Sequence, residues 1–296
     1  MELQANMVNT KADVKLKYKK KMTGAERRNL WLSRIALWVM MAIVLFPILA
    51  VVGASLSKGS SFTQSSLLPS EMTLDNYSKV IKDTNFLLWV KNSLIVCIAS
   101  AVIQLAIVIP ASFAFSKLRF IFRSKGLMAL LILQMFPTAM ALPAILRIAY
   151  NHNGMDNLLV VILLMCTGIA YNIWLMKGYI DGIPSDLMEA AYVDGATTFQ
   201  VFIKIIFPLI KNMMIVIFLF SFINAYSEFM ISSALLKDSA SQTLAVGMQL
   251  FINEKFSANW TQYSAAAIMA SLPVVILFMS FQKFIAGGLT AGAVKG

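Results

Sequence analysis

The sequence predicts an all-α membrane bundle of six spanning helices. Three observations carry that prediction: the composition, six apolar runs of spanning length, and a one-sided distribution of lysine and arginine. Of 296 residues, 59% are hydrophobic and 13% charged, and the mean hydropathy is +0.75. Soluble domains average roughly 45–50% apolar and about 25% charged residues. Both departures favour lipid as the solvent.

A helix crossing about 30 Å of hydrocarbon needs roughly 20 mainly apolar residues. Runs of that kind lie at 31–56, 88–115, 127–149, 158–176, 212–236 and 263–285. The first follows a basic leader of some 30 residues and exceeds the usual signal-peptide core of about 7–15 residues, so it reads as an uncleaved span. The expected organisation is a basic tail at 1–30, a first span at 31–57, an external loop at 58–87, a five-span core at 88–286 containing a loop at 177–211, and a tail at 287–296. Pro47, Pro110, Pro137, Pro143 and Pro273 fall in the spans. Each removes a helical hydrogen bond; packing irregularity and hinge are both open readings.

Orientation follows from the basic residues of the loops. Nine of the 25 lie in the first 34 positions. Counting also the loops after spans two and four and the C-terminal tail, 18 fall on one side and seven on the other. The bias places both termini in the cytoplasm of a cell-membrane, multi-pass protein. The net charge of +11 is then a contact with anionic lipid, and nucleic acid is not expected as a partner. Cys97 and Cys166 both sit in apolar runs and read as small buried hydrophobes. With His152 the only histidine, no metal site is expected.

The informative stretch lies between spans four and five: Ile183-Pro-Ser-Asp-Leu-Met-Glu-Ala-Ala-Tyr-Val-Asp-Gly195. Asp186 and Glu189 have the spacing of a capping box. Gly195 fits the left-handed position that ends a helix. A second helix is expected from about Thr197, with Phe199, Phe202, Ile203 and Ile206 at the i, i+3, i+4, i+7 spacing of one face. Pro208 and Lys211 lead into span five. The loop therefore reads as a helix–turn–helix module carrying an acid.

Glu189-Ala190-Ala191, then Gly195, then Ile205 and Pro208 resemble the EAA signature of ABC importer permeases; Phe207 stands where that pattern has leucine. Pro69, Thr73, Asn76 and Tyr77 resemble the pattern of carbohydrate permeases of that superfamily. Further likeness lies in Gln134 to Pro137, in Thr243 to Met248 and in Gly288 to Gly296. These are similar to the MalG-type permease subunit of maltose/maltodextrin importers. The resemblance implies that 183–208 is a coupling loop docking on an ATPase, with Glu189 paired to an arginine of that subunit and Gly195 permitting the turn. It implies a second, larger permease, a homodimeric ATPase and an extracytoplasmic sugar-binding protein as partners. The loop around Asn253, Glu254 and Lys255 would reach the binding protein, and the C-terminal tail would reach between the ATPase subunits. It implies no cofactor in this chain, ATP and Mg being held by the ATPase.

Glu228, with Asn224 one turn earlier on the same face, stands inside the fifth run. Lining a cavity and pairing with a neighbouring helix are equally open to these two residues. Gln104, Gln134 and Asn172 read as interhelical hydrogen-bonding residues rather than sugar ligands, and the resemblance implies that the transmembrane sugar site lies on the partner permease. The sequence contains no G-x-x-x-x-G-K-[ST] phosphate loop, so the chain reads as a transport subunit and not an enzyme. Permeases for other oligosaccharides or for glycerol phosphate share the pattern. An ion-coupled secondary transporter is the remaining alternative, but no internal repeat supports it.

Overall fold

The computed structural model describes residues 23–59, 69, 71–123, 125–253 and 259–290, with side chains as far as 284. Among them the chain is helical, and β-pairing is limited to one isolated antiparallel bridge between Ser57 and Met72. It divides into two units, residues 1–49 and 50–296. α1 (Gly24–Leu56), whose residues to Leu49 belong to the first unit, begins earlier than its apolar run. A capping box starts it: the Thr23 N–H donates to Glu26 Oε2 at 2.8 Å, and the Glu26 N–H to Thr23 Oγ1 at 3.3 Å. Residues 24–30, expected in a tail, are thereby helical.

The second unit is built around α3 (Phe86–Lys117). One face of α3 carries Ser93, Cys97, Ser100, Ala101, Gln104, Val108, Ser112 and Ser116, all buried. Small side chains at three- and four-residue spacing let neighbouring helices approach closely. In lipid the hydrophobic drive between helices is absent, and close packing with interhelical hydrogen bonds supplies association instead. Against α3 lie α6 (Leu158–Met165), α7 (Ala170–Asp181) and α11 (Lys211–Tyr226). The last helix, α14 (Trp260–Thr290), packs on α11 and on the short α2 (Asp75–Asp83).

Three of the six apolar runs are not single helices. The third is α4 (Gly126–Gln134) and α5 (Thr138–Asn151), bent by 84°. The fourth is α6 and α7, bent by 46°. The fifth run divides into α11 and α12 (Met230–Leu235). The causes are local. Pro137 occupies the N-cap of α5, and Gly168 has φ +71° between α6 and α7, a conformation glycine adopts without penalty. Pro47, Pro110, Pro143 and Pro273 all lie inside helices. Three helices are long and apolar enough to span, and six spans result if each bent pair counts as one.

Candidate functional site

The loop singled out in the sequence forms two short helices on a braced mount. Its first helix, α8 (Asp186–Val193), has Ser185 at the N-cap with no side-chain cap. The capping box expected from Asp186 and Glu189 is therefore not formed. Both acids instead sit in the first turn, where a carboxylate is favoured by the helix dipole. The C-terminus closes as a Schellman motif: the Ala196 N–H donates to the Ala191 carbonyl at 2.9 Å, and the Gly195 N–H to the Tyr192 carbonyl at 3.0 Å. Gly195 has φ +82°, as that motif requires. Ala191 and Ala196 are thus the two ends of the 6→1 bond, and both pack on the core.

Thr197 then caps α9 (Thr198–Val201) with a complete capping box, Gln200 being the reciprocal partner. The helix continues as a π turn over Phe202–Ile206 and ends in α10 (Phe207–Leu209). The π turn overturns the expected face. With i→i+5 bonding, Val201 and Ile206 share the buried side, both at 0% exposure, with Phe202 and Ile205 half-buried. Phe199 is 71% exposed and Ile203 is also exposed. Pro208 lies two residues past the π turn, and a 74° bend at Ile210 leads into α11.

Polar contacts around α7 and the turn at Ile183 tie the mount of this module to α3. Ser116 Oγ donates to Asp181 Oδ1 at 2.6 Å, and Lys177 Nζ to Asp181 Oδ2 at 2.6 Å. Lys117 Nζ donates to the Ile183 carbonyl at 3.0 Å, and Arg123 Nη2 to the Ser116 carbonyl at 2.6 Å. Met188 reaches back into the core beside Phe113 and Ile180, and the rings of Phe113 and Phe202 stand 5.0 Å apart. The outward surface carries Glu189, Ala190, Leu187, Tyr192, Val193 (88% exposed) and Phe199. Glu189 forms no ion pair among the described residues. Val193 and Phe199 as outward apolar residues escape the sequence reading, because the π turn that turns Phe199 outward has no signature in it.

A second site lies where the broken helices meet. Gln104, Gln134, Tyr171, Asn172, Ser221 and Asn224 are among the residues lining a cavity of about 360 Å³. Gln104 Nε2 donates to the Met165 carbonyl at 2.7 Å, at the end of α6. Its Oε1 accepts from Ser221 Oγ at 2.8 Å and from Asn172 Nδ2 at 3.2 Å. Gln134 Oε1 accepts from the Tyr171 N–H at 3.2 Å. The interhelical role expected of Gln104, Gln134 and Asn172 is thus present, and the same side chains line the cavity.

Glu228 does not line that cavity. Span five has broken before it: α11 ends at Tyr226. The Glu228 carboxylate accepts from the Ile231 N–H at 2.6 Å, the Ser232 N–H at 3.0 Å and Ser232 Oγ at 2.6 Å. It satisfies the orphan amides at the start of α12, a capping role the Glu228 to Ser232 spacing permits. Of the expected pair, only Asn224 lines the cavity. Asn253 is exposed at the end of the segment after α13 (Leu244–Met248); Glu254 and Lys255 lie outside the described residues. On that side Asn92 Nδ2 donates to the Ala240 and Gln242 carbonyls, both at 2.9 Å, and Ser93 Oγ accepts from the Leu244 N–H at 2.8 Å. Asn76 Nδ2 donates to the carbonyls of Ser55 and Ser57, each at 2.9 Å.

Broken apolar helices around a polar cavity, with a braced helical module projecting from the bundle, define a membrane transport component. The chain belongs to the family described as binding-protein-dependent transport system inner membrane component, which matches residues 22–290. It is 34% identical to the maltodextrin transport system permease protein MdxG of Bacillus subtilis (strain 168), covering 86% of this chain and 92% of that one. It is 35% identical to the galactooligosaccharides transport system permease protein GanQ of the same organism, over 90% and 96% of the two chains. It is 34% identical to the maltose/maltodextrin transport system permease protein MalG of Escherichia coli (strain K12), over 92% and 98%. The fold matches that of a bacterial ABC transporter involved in the import of the acidic polysaccharide alginate, with a TM-score of 0.75, 23% identity and coverage of 90% of this chain and 99% of that one.

Proposed function

We propose that this chain is the smaller permease of an importer for neutral oligosaccharides of the maltose/maltodextrin class. On this reading it works with a second permease, an external sugar-binding protein and a separate ATPase that supplies all ATP chemistry. The observation that carries it is the module 186–208. A short helix, closed by a Schellman glycine and braced on Asp181 and Met188, presents an unpaired acid beside exposed apolar side chains. Such a surface fits a groove in a partner, with Glu189 giving register through a basic residue there. Rigid mounting lets a movement of that partner reach the bundle instead of being absorbed by the loop. Both termini are assigned to the cytoplasm with this module, as the lysine and arginine bias requires.

The direct test is uptake of labelled maltotriose in cells lacking this chain, with and without the wild-type copy restored. Uptake that returns with the chain supports the assignment; no dependence would demote it. A second reading, galacto-oligosaccharides as substrate, is favoured by the similarity to GanQ, and a galactotriose arm of the same experiment decides between them.

A further inference from the structure

The turn between α3 and α4 concentrates cations with no acid close by in the sequence. Lys117, Arg119, Arg123 and Lys125 fall within nine residues, and no aspartate or glutamate occurs between Asp83 and Asp156. Arg123 is used to hold the turn: its Nε donates to the Phe115 carbonyl at 3.2 Å and its Nη2 to the Ser116 carbonyl at 2.6 Å, satisfying the end of α3. The turn itself is closed by the Arg123 N–H on the Phe120 carbonyl at 3.1 Å and the Gly126 N–H on the Phe122 carbonyl at 2.7 Å. Arg119 and Lys125 are exposed, and their side chains make no hydrogen bond or ion pair among the described residues. Between them Ile121 is 93% and Phe122 70% exposed.

Beside this turn a pocket of about 550 Å³ lies between α3, α4 and α7. Phe115, Leu127, Met128 and Trp174 give it apolar walls, and Arg123 and Lys177 add cations. The Phe120 ring folds back to 5.2 Å from that of Phe115. The apolar run of α3 ends at Phe115, so the basic turn after it lies at the depth of the lipid headgroups, with the pocket reaching towards the chains.

The mixture selects the occupant. A protein interface depletes lysine and other charges from its core, whereas here cations alternate with exposed apolar side chains. A membrane surface takes both: aromatic rings settle at headgroup level, and lysine and arginine meet anionic lipid on the cytoplasmic side. We propose that the turn and its pocket form a site for an anionic glycerophospholipid of the cytoplasmic leaflet, the headgroup drawn by Arg119 and Lys125 and the chains lying against Phe115, Met128 and Trp174. The site does not depend on the sugar carried. Its leaflet alone rests on the cytoplasmic orientation proposed for the chain.

Photolabelling of the complete transporter in phosphatidylcholine nanodiscs tests it. One sample carries phosphatidylglycerol with a photoreactive acyl chain, and a parallel sample carries phosphatidylcholine with the same chain. Label on residues 115–131 is measured by mass spectrometry. Each surface cation favours an anionic lipid by about fivefold, so phosphatidylglycerol is expected to label the segment about five- to thirtyfold more strongly. The double variant Arg119→Gln, Lys125→Gln is expected to bring it down to the phosphatidylcholine level. Neither side chain has a partner among the described residues, and an equal yield of assembled complex checks that the bundle is kept. Equal labelling by the two lipids, or a preference that survives the double variant, would overturn the site. Displacement of the label by free glycerol phosphate would overturn it in favour of a soluble anion. Crosslinking from Ile121→benzoylphenylalanine to the second permease would overturn it in favour of a covered protein face. Reaction of Lys125→Cys with an impermeant maleimide outside intact cells would overturn the orientation and the cytoplasmic leaflet with it, a failure separate from loss of the lipid preference in nanodiscs.

Discussion

A Cβ added to Gly247 would lie 2.1 Å from the indole of Trp89, a side chain only 1% exposed. The indole is packed on all sides, so Gly247→Ala is expected to overpack the junction of α13 with α3. The cost is about 1–3 kcal/mol, read as a lower melting temperature of the purified complex. Leu244 and Phe251 belong to the same cluster, so the damage would centre on the segment leading to Asn253. Asp156 governs a different junction. It sits at φ +56° in the loop before α6, and its Oδ1 accepts from the Asp238 N–H at 2.7 Å, the Lys237 N–H and Ser241 Oγ. The Asp238 N–H chiefly holds this carboxyl below its usual range, with Lys237 and Ser241 adding to the effect against partial desolvation. A depressed folded pKa means the contribution is complete above the unfolded value of 3.8 and is lost as pH falls through the folded one. Asp156→Asn is therefore expected to cost up to about 1 kcal/mol near neutrality, solvent screening keeping it small. Thermal melts of the two proteins should converge in strong acid.

Helix ends and breaks decide what the elements do, and here sequence and structure part company. The Gly195 stop and the Thr197 start are legible because each depends on a residue type with a local preference, positive φ for glycine and a side-chain acceptor for threonine. The Phe199 to Ile206 face is misread because a π turn adds a residue to one turn, and the pull of the core on Val201 and Ile206 outweighs the regular 3.6-residue period. Glu228 is misplaced for a similar reason. Hydropathy runs continuously through 212–236, yet the helix breaks at Ser227, and the acid caps the next turn. The apolar runs say that a segment spans; where it breaks is marked by single residues such as Pro137 and Gly168, which hydropathy averages away. At this scale Thr197→Ala is expected to remove the capping box and cost about 1 kcal/mol. Limited proteolysis should then cut faster between α8 and α9, while assembly of the bundle is retained.

At the scale of the whole molecule, α7 joins the two sites. Its N-terminal end carries Tyr171 and Asn172 on the cavity, and its C-terminal end carries Asp181 on the mount of α8. The two ends are about 15–17 Å apart along one rigid helix. Ser112 Oγ donates to the Ile173 carbonyl at 3.1 Å, so α3 grips α7 along its length as well as at its end. On the coupling role proposed for α8, its displacement would reach the cavity wall through α7. The brace at Asp181 is the weak point of this lever, being one bond to α3 from Ser116 and one within α7 from Lys177, both on a partly exposed carboxylate. Asp181→Ala is expected to remove roughly 1–2 kcal/mol of fixation, too little to unfold a bundle packed along all of α3. If motion passes through α7, sugar moved per ATP hydrolysed should fall by up to about tenfold, with the amount of assembled complex unchanged. If uptake and hydrolysis instead fall in proportion, the variant has weakened docking alone, and the lever is not the route. Gly195→Asp supplies the contrast. A Cβ there meets nothing within 4 Å, so its effect is confined to the strained turn at about 1–2 kcal/mol and to the face offered to the ATPase. It should impair hydrolysis stimulated by the binding protein, where Asp181→Ala is expected to leave that stimulation in place and to lower only the sugar moved per ATP.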